Sequence, residues 1–170
     1  IGNIYDATLT EIYAGETLRQ FQEQSLHGAL RCYAGCTLLG EKDKTSRPDM
    51  RRLDTLKIRF GERCNVACTM CWQNHQSRQE IDAEKLIRNL GDLTPFASID
   101  LQGGEPLFMR SAMKFFDHCI EQGKAASFLT HGTLMNEKLA EKIAKHVLQL
   151  YVSLNAATKK THEEIVQGST

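Results

Sequence analysis

Residues 97–132 read ASIDLQGGEPLFMRSAMKFFDHCIEQGKAASFLTHG, and the succession of periods within them decides the fold. Ala97-Ser98-Ile99-Asp100-Leu101 is a short run of strand length that stops at a glycine pair. Met109, Met113, Phe116, Cys119 and Ile120 then recur at helical spacing on one face. Gly123 ends that helix, Ala126 to Thr130 forms another strand, and His131-Gly132 terminates it. Short apolar runs alternating with longer amphipathic segments predict βα units around a parallel sheet.

The alternation continues in both directions. Upstream, Leu56, Ile58 and Phe60 alternate with charged residues in a strand ending at Gly61, and Asp82 caps a helix whose inner face is Leu86, Ile87, Leu90 and Leu93. Downstream, Asn136 caps a helix with Leu139, Ile143 and Val147 inward, and a fourth strand runs from Leu148 to Leu154. Thr161 and Glu164 have capping-box spacing for a fourth helix. Residues 51–170 therefore read as an α/β unit, a partial (β/α) barrel of about four βα units with one strand edge open. Ahead of it, Ala7 to His27 predicts two short helices broken at Ala14-Gly15, followed by Cys32 and Cys36. Glu41 to Arg52 is polar, contains Pro48 and reads as a linker, so a boundary falls near residue 50 and separates units 1–50 and 51–170. The chain opens at Ile1 without a Met and stops at Thr170 within a helical pattern, as a fragment would.

Composition narrows the function. A chain of 170 residues with 41% hydrophobic content supports a packed core and excludes a disulfide-stapled mini-protein. The 21 basic residues balance the 21 acidic ones, with no basic block, so nucleic acid is not the expected partner. No window of about 18 apolar residues exists to span a membrane, and no secretory signal pattern is present. Five of the six cysteines lie in two close groups, which fits metal or redox chemistry in a reducing compartment, here the cytoplasm.

Cys64, Cys68 and Cys71 are separated by three and then two residues, on a loop short enough to wrap three thiolates around one metal centre. Two readings follow from the spacing. With His75 as a fourth ligand the site is a closed structural zinc site. Around a four-iron cubane, three thiolates leave one iron open, as a catalytic cluster needs. Cys119, on the apolar helix stripe, reads as a core thiol, and the lone Trp72 as a packed residue.

Cys64-Asn65-Val66-Ala67-Cys68-Thr69-Met70-Cys71 resembles the cluster loop of the radical S-adenosylmethionine family. Gly103-Gly104-Glu105-Pro106 resembles that family's GGEP motif, although two glycines before Glu-Pro also make an ordinary turn. Thr130-His131-Gly132-Thr133-Leu134 resembles its Thr-Asn-Gly-Thr-Leu segment, with His131 in place of Asn, and Val152-Ser153-Leu154-Asn155-Ala156-Ala157 resembles its fourth strand. The resemblance implies a 4Fe-4S cluster on Cys64, Cys68 and Cys71, whose open iron is chelated by S-adenosylmethionine. It implies cofactor contacts from Met70, Gly103, Gly104, Glu105, Thr130, His131, Ser153 and Asn155, the glycines allowing close backbone approach. Glu105-Pro106 equally suits a helix N-terminus, and His131 a hydrogen-bonded structural histidine.

Ile1-Gly2-Asn3-Ile4, Leu9-Thr10-Glu11-Ile12-Tyr13, Cys32 and Cys36 resemble the Twitch or SPASM auxiliary-cluster module. That implies a second iron–sulfur cluster to which Cys32 and Cys36 contribute; a zinc half-site or two ordinary thiols are the alternatives. The implied function is reductive cleavage of S-adenosylmethionine to a 5'-deoxyadenosyl radical that abstracts hydrogen, with a peptide or protein as the substrate expected by analogy. A reductant protein such as flavodoxin or ferredoxin is the expected electron donor. The rival is a non-enzymatic zinc-stabilised or iron–sulfur electron-transfer module.

Overall fold

The computed structural model describes residues 2–29 and 53–168. Cys32, Cys36 and the expected boundary near residue 50 lie outside the described residues. In chain order the elements are α1 (Leu9–Ala14), α2 (Glu16–Leu26), β1 (Leu53–Arg59), β2 (Ala67–Cys68), α3 (Ala83–Leu90), β3 (Phe96–Gln102), α4 (Arg110–Glu121), β4 (Ala126–Thr130), α5 (Glu137–His146), β5 (Val147–Val152), α6 (Lys159–Ile165) and β6 (Val166–Gln167).

Four strands form one parallel sheet in the order β1-β3-β4-β5, the succession expected of consecutive βα units. Lys57 stands opposite Asp100 and Arg59 opposite Gln102, while Leu101 stands opposite Phe128. Alternation sends Ile58, Ile99, Leu101 and Phe128 to the helix-covered face, where they meet Leu86, Leu90, Phe115 and Phe116 in the core. Phe116 of α4 meets Phe128 of β4 edge-on at 4.8 Å between ring centroids, and Phe60 lies 5.7 Å from Phe115. Burying each such ring is worth roughly 1.5–3 kcal/mol, so these contacts fix α4 against the sheet.

The helix starts follow local chemistry. Asp82 accepts from the N–H groups of Glu84 and Lys85, and Asn136 accepts from Leu139. Thr8 and Glu11 form a capping box that sets α1, and Gly15 separates α1 from α2 as the sequence predicts. The segment leading into α1 is docked at α3. The N–H of Asp82 donates to the Tyr5 hydroxyl, Asn89 donates to the Ile4 carbonyl, and Ile4 and Leu9 pack on the core.

Three expectations need correcting. Val147 opens β5 instead of closing the preceding helix, because α5 already ends at His146. The last helix begins at Lys159, capped by Thr158, three residues before the Thr161 cap expected from sequence. Glu105-Pro106 does not open α4, which starts at Arg110; the two residues instead form a turn in which the N–H of Phe108 donates to the Glu105 carbonyl. At the far edge, β5 leaves Leu148, Tyr151 and Val152 exposed, the open edge expected of a partial barrel. No helix among the described residues is long and apolar enough to cross a membrane.

Candidate functional site

The segments that follow β1, β3, β4 and β5 meet at one end of the sheet and enclose a cavity of about 370 Å³. This is the carboxyl end of the strands, where ligands bind in parallel α/β folds. Cys64, Cys68, Cys71, Met70, Gly103, Gly104, Glu105, Thr130, His131, Ser153 and Asn155 all line it. Arg59, Glu62, Gln73 and Gln102 join them and were not anticipated. The signal for Arg59 and Gln102 was available, since each is the last residue of a strand that leads into a motif.

The cysteine loop is pinned from three sides. Cys64 N–H donates to the His75 carbonyl, closing the loop on itself. Ala67 and Cys68 pair antiparallel with Gln167 and Val166, and Thr69 N–H donates to the Ile165 carbonyl, so the segment after α6 straps the loop down. Buried Val66 and Val166 anchor this strap. The third side is the glycine turn. Gly104 N–H donates to the Gly61 carbonyl and Glu105 N–H to the Arg63 carbonyl, immediately before Cys64.

The two glycines, which line the cavity, also have a packing role. A Cβ on Gly104 would fall inside the envelope of the Glu62 and Arg63 carbonyl oxygens, and one on Gly103 would meet the Met109 side chain. Their missing side chains make room for the backbone that leads into the cysteine loop.

Glu105 is 1% exposed and organises the wall opposite the cysteines. Its Oε1 accepts from the Thr130 hydroxyl at 2.8 Å and Leu107 N–H at 3.1 Å, and its Oε2 accepts from His131 N–H at 3.0 Å. The His131 ring also reaches Oε2, at 3.1 Å. Because His131 Nδ1 accepts from Thr133 N–H, the ring proton sits on Nε2, which faces both Glu105 and Asn65 Oδ1. Asn65 Nδ2 donates in turn to the Thr133 hydroxyl. Burial holds His131 below the ordinary histidine pKa; the Glu105 charge opposes that shift and His162 adds to it. His131 is thus a hydrogen-bonded brace that also lines the cavity. Thr130, whose hydroxyl donates to Glu105 and accepts from Gly132 N–H, is another.

Ser153 and Asn155 lie just past β5, on alternate positions, and both face the cavity. Neither side chain has a hydrogen-bond partner among the described residues, which leaves both available to a ligand. Met70 is 61% exposed at the cavity rim. Trp72 is not packed as the sequence reading had it: it is 72% exposed and lies under the Arg59 guanidinium, 5.3 Å from the ring centroid.

Three cysteines on one short loop are a donor set that fits a four-iron cluster with one iron left to another ligand. Burial raises the Cys64 and Cys68 thiols above the usual range, with backbone N–H groups of Val66 and Asn65 partly offsetting this at Cys64. Thiols so placed become thiolates on binding a cationic centre. Four ligands of one zinc converge on a point within about 2.3 Å of each sulfur. Among the described residues no group of three Cys, His, Asp or Glu side chains is already placed to hold a metal ion, while Cys64, Cys68, Cys71 and His75 line the same cavity.

Comparison with known proteins identifies a family. Residues 58–170 match the Radical SAM superfamily, and the match leaves residues 1–57 outside it. A GTP 3',8-cyclase of Rhodopirellula baltica is 27% identical over 131 residues, covering 69% of this chain and 35% of that protein. An Fe-coproporphyrin III synthase of Methanosarcina barkeri is 30% identical over 98 residues, covering 55% of this chain and 24% of that protein. The chain thus spans about a quarter to a third of the length of these relatives. Among solved structures, Streptococcus suis SuiB bound to its precursor peptide SuiA superimposes with a TM-score of 0.56 at 16% identity, over 87% of this chain and 39% of that one.

Proposed function

The chain belongs to the Radical SAM superfamily, and on that premise we propose that it is the core of an enzyme that reductively cleaves S-adenosylmethionine at a 4Fe-4S cluster and uses the resulting 5'-deoxyadenosyl radical to abstract hydrogen from a peptide or protein. The observation that carries this reading is the convergence of three thiols with the segments after β3, β4 and β5 on one cavity. In this reading Cys64, Cys68 and Cys71 hold three irons, and the fourth faces the cavity.

The chain's own residues supply geometry. The glycine turn and the β2–β6 strap hold the three thiols in place before loading, so little ordering entropy remains to be lost. Glu105, Thr130 and His131 form a rigid wall that Asn65 ties to the loop. Ser153 and Asn155 offer free hydroxyl and amide groups to the polar parts of S-adenosylmethionine. Buried Val66 gives the cavity part of its apolar lining, and Met70 stands at its rim. A flavodoxin or ferredoxin is the electron donor in this scheme.

The peptide substrate is supported by the fold likeness to SuiB, which binds a precursor peptide. We assign residues 1–50 as a segment contributing Cys32 and Cys36 to an auxiliary cluster, and 51–170 as the barrel unit. Anaerobic reconstitution followed by dithionite reduction with S-adenosylmethionine tests the activity. Release of 5'-deoxyadenosine that disappears in Cys68→Ala supports it; equal release by Cys68→Ala overturns it.

A further inference from the structure

The sheet face turned away from the helices carries polar side chains along β1 and β3, where a packed barrel interior is branched and apolar. Alternation puts Lys57 and Arg59 of β1 on the face opposite Ile58, next to Asp100 and Gln102 of β3. Thr55 and Ser98 hydroxyls, 2.8 Å apart, close the layer beneath. A polar face leading up to the cavity rim suits a polar ligand.

Arg59 occupies the top layer, within the cavity lining that holds the three cysteines, and is the sole Arg or Lys there. Neighbouring Arg63 is engaged with Glu80 at 3.2 Å. Arg59 has no carboxylate partner among the described residues; its contact is the face of exposed Trp72. A cation–π contact at this distance occupies none of the guanidinium's N–H donors, which can still give a carboxylate two parallel hydrogen bonds. Glu62 in the same lining, and Asp100 on the same sheet face, disfavour a multiply charged anion such as phosphate. A planar, singly charged carboxylate meets both conditions.

We propose that Arg59, seated on Trp72, binds a carboxylate of the substrate at the rim of the cavity beside the cysteine loop. The proposal rests on the enzymatic reading above and names the substrate's recognised group. The carboxylate belongs either to a peptide C-terminus or to an Asp or Glu side chain.

Isothermal titration calorimetry reads binding here, because a cluster on Cys71 would quench the emission of adjacent Trp72. The test titrates the full reconstituted chain with three alanine-based pentapeptides: one with a free C-terminus, one amidated with a central Glu, and one amidated and neutral. The account expects saturable change with one or both carboxylate peptides, at least about ten-fold tighter than with the neutral one, and the carboxylate peptide that binds names the source. Arg59→Gln should bring the carboxylate peptides down to the neutral level, with Arg59→Lys in between because it keeps charge without the fork. Equal response to the neutral peptide, or an unchanged titration in Arg59→Gln, would overturn the proposal. So would a ten-fold loss of S-adenosylmethionine binding in Arg59→Gln, measured by equilibrium dialysis, which would assign Arg59 to the cofactor's own carboxylate. Failure of the unsubstituted chain to bind S-adenosylmethionine, with the peptide titration intact, would overturn the preceding functional reading alone.

Discussion

His131 Nε2 stands 3.1 Å from Asn65 Oδ1, a contact that ties the exit of β4 to the residue following Cys64. The wall built on Glu105 and the loop that carries the thiols are therefore one hydrogen-bonded unit, and a change on either side is felt on the other.

That unit gives stability a pH dependence. A buried histidine whose folded pKa is depressed contributes fully above its unfolded value of about 6.5 and loses that contribution as pH falls toward the folded value. Urea unfolding between pH 7.5 and 5 should show stability declining with acid, and His131→Asn, which cannot titrate, should flatten the decline. An equally steep decline in His131→Asn would remove His131 as its source.

Gly104 should tolerate no side chain. A Cβ there runs into two backbone carbonyls, neither of which can swing aside as a flexible side chain could. Gly104→Ala should lose about 1–3 kcal/mol of stability and bind less iron per chain after reconstitution, because the turn it distorts holds the start of the cysteine loop. Gly91→Ala is a control with no neighbour in reach, its cost confined to backbone strain at φ +73°. Iron loading should survive in it.

Cysteine reactivity should separate the thiols by burial. Cys119 is fully buried, and burial pushes its pKa up to about 12, whereas Cys71 is exposed. Iodoacetamide applied to the native iron-free chain, with sites mapped by mass spectrometry, should label Cys71 and spare Cys119. Prior cluster loading should protect Cys64, Cys68 and Cys71 together. Rapid labelling of Cys119 would contradict its place in the core.

The sheet and its helices were legible because Ile58, Ile99, Phe116 and Phe128 follow clean periods and glycine, Asp82 and Asn136 mark the breaks. The site residues were legible because each lies at the end of a strand, within three positions past one, or in the loop after β1. The β2–β6 strap was not, since two-residue strands carry no period. Nor could sequence show what Gly104 makes room for, or that Glu105 is buried under Thr130 and His131, because those partners come from segments far apart in the chain. Arg59 reads as a polar strand residue until the fold sets it over Trp72.

The central claim is that the three-cysteine loop holds a cluster with an iron open to S-adenosylmethionine. Low-temperature electron paramagnetic resonance of the anaerobically reconstituted, reduced chain, with and without S-adenosylmethionine, tests it most directly. The account predicts a 4Fe-4S signal that shifts when the cofactor is added and is absent in Cys68→Ala. A signal indifferent to the cofactor, or a chain that takes up zinc and shows no iron signal, would contradict it.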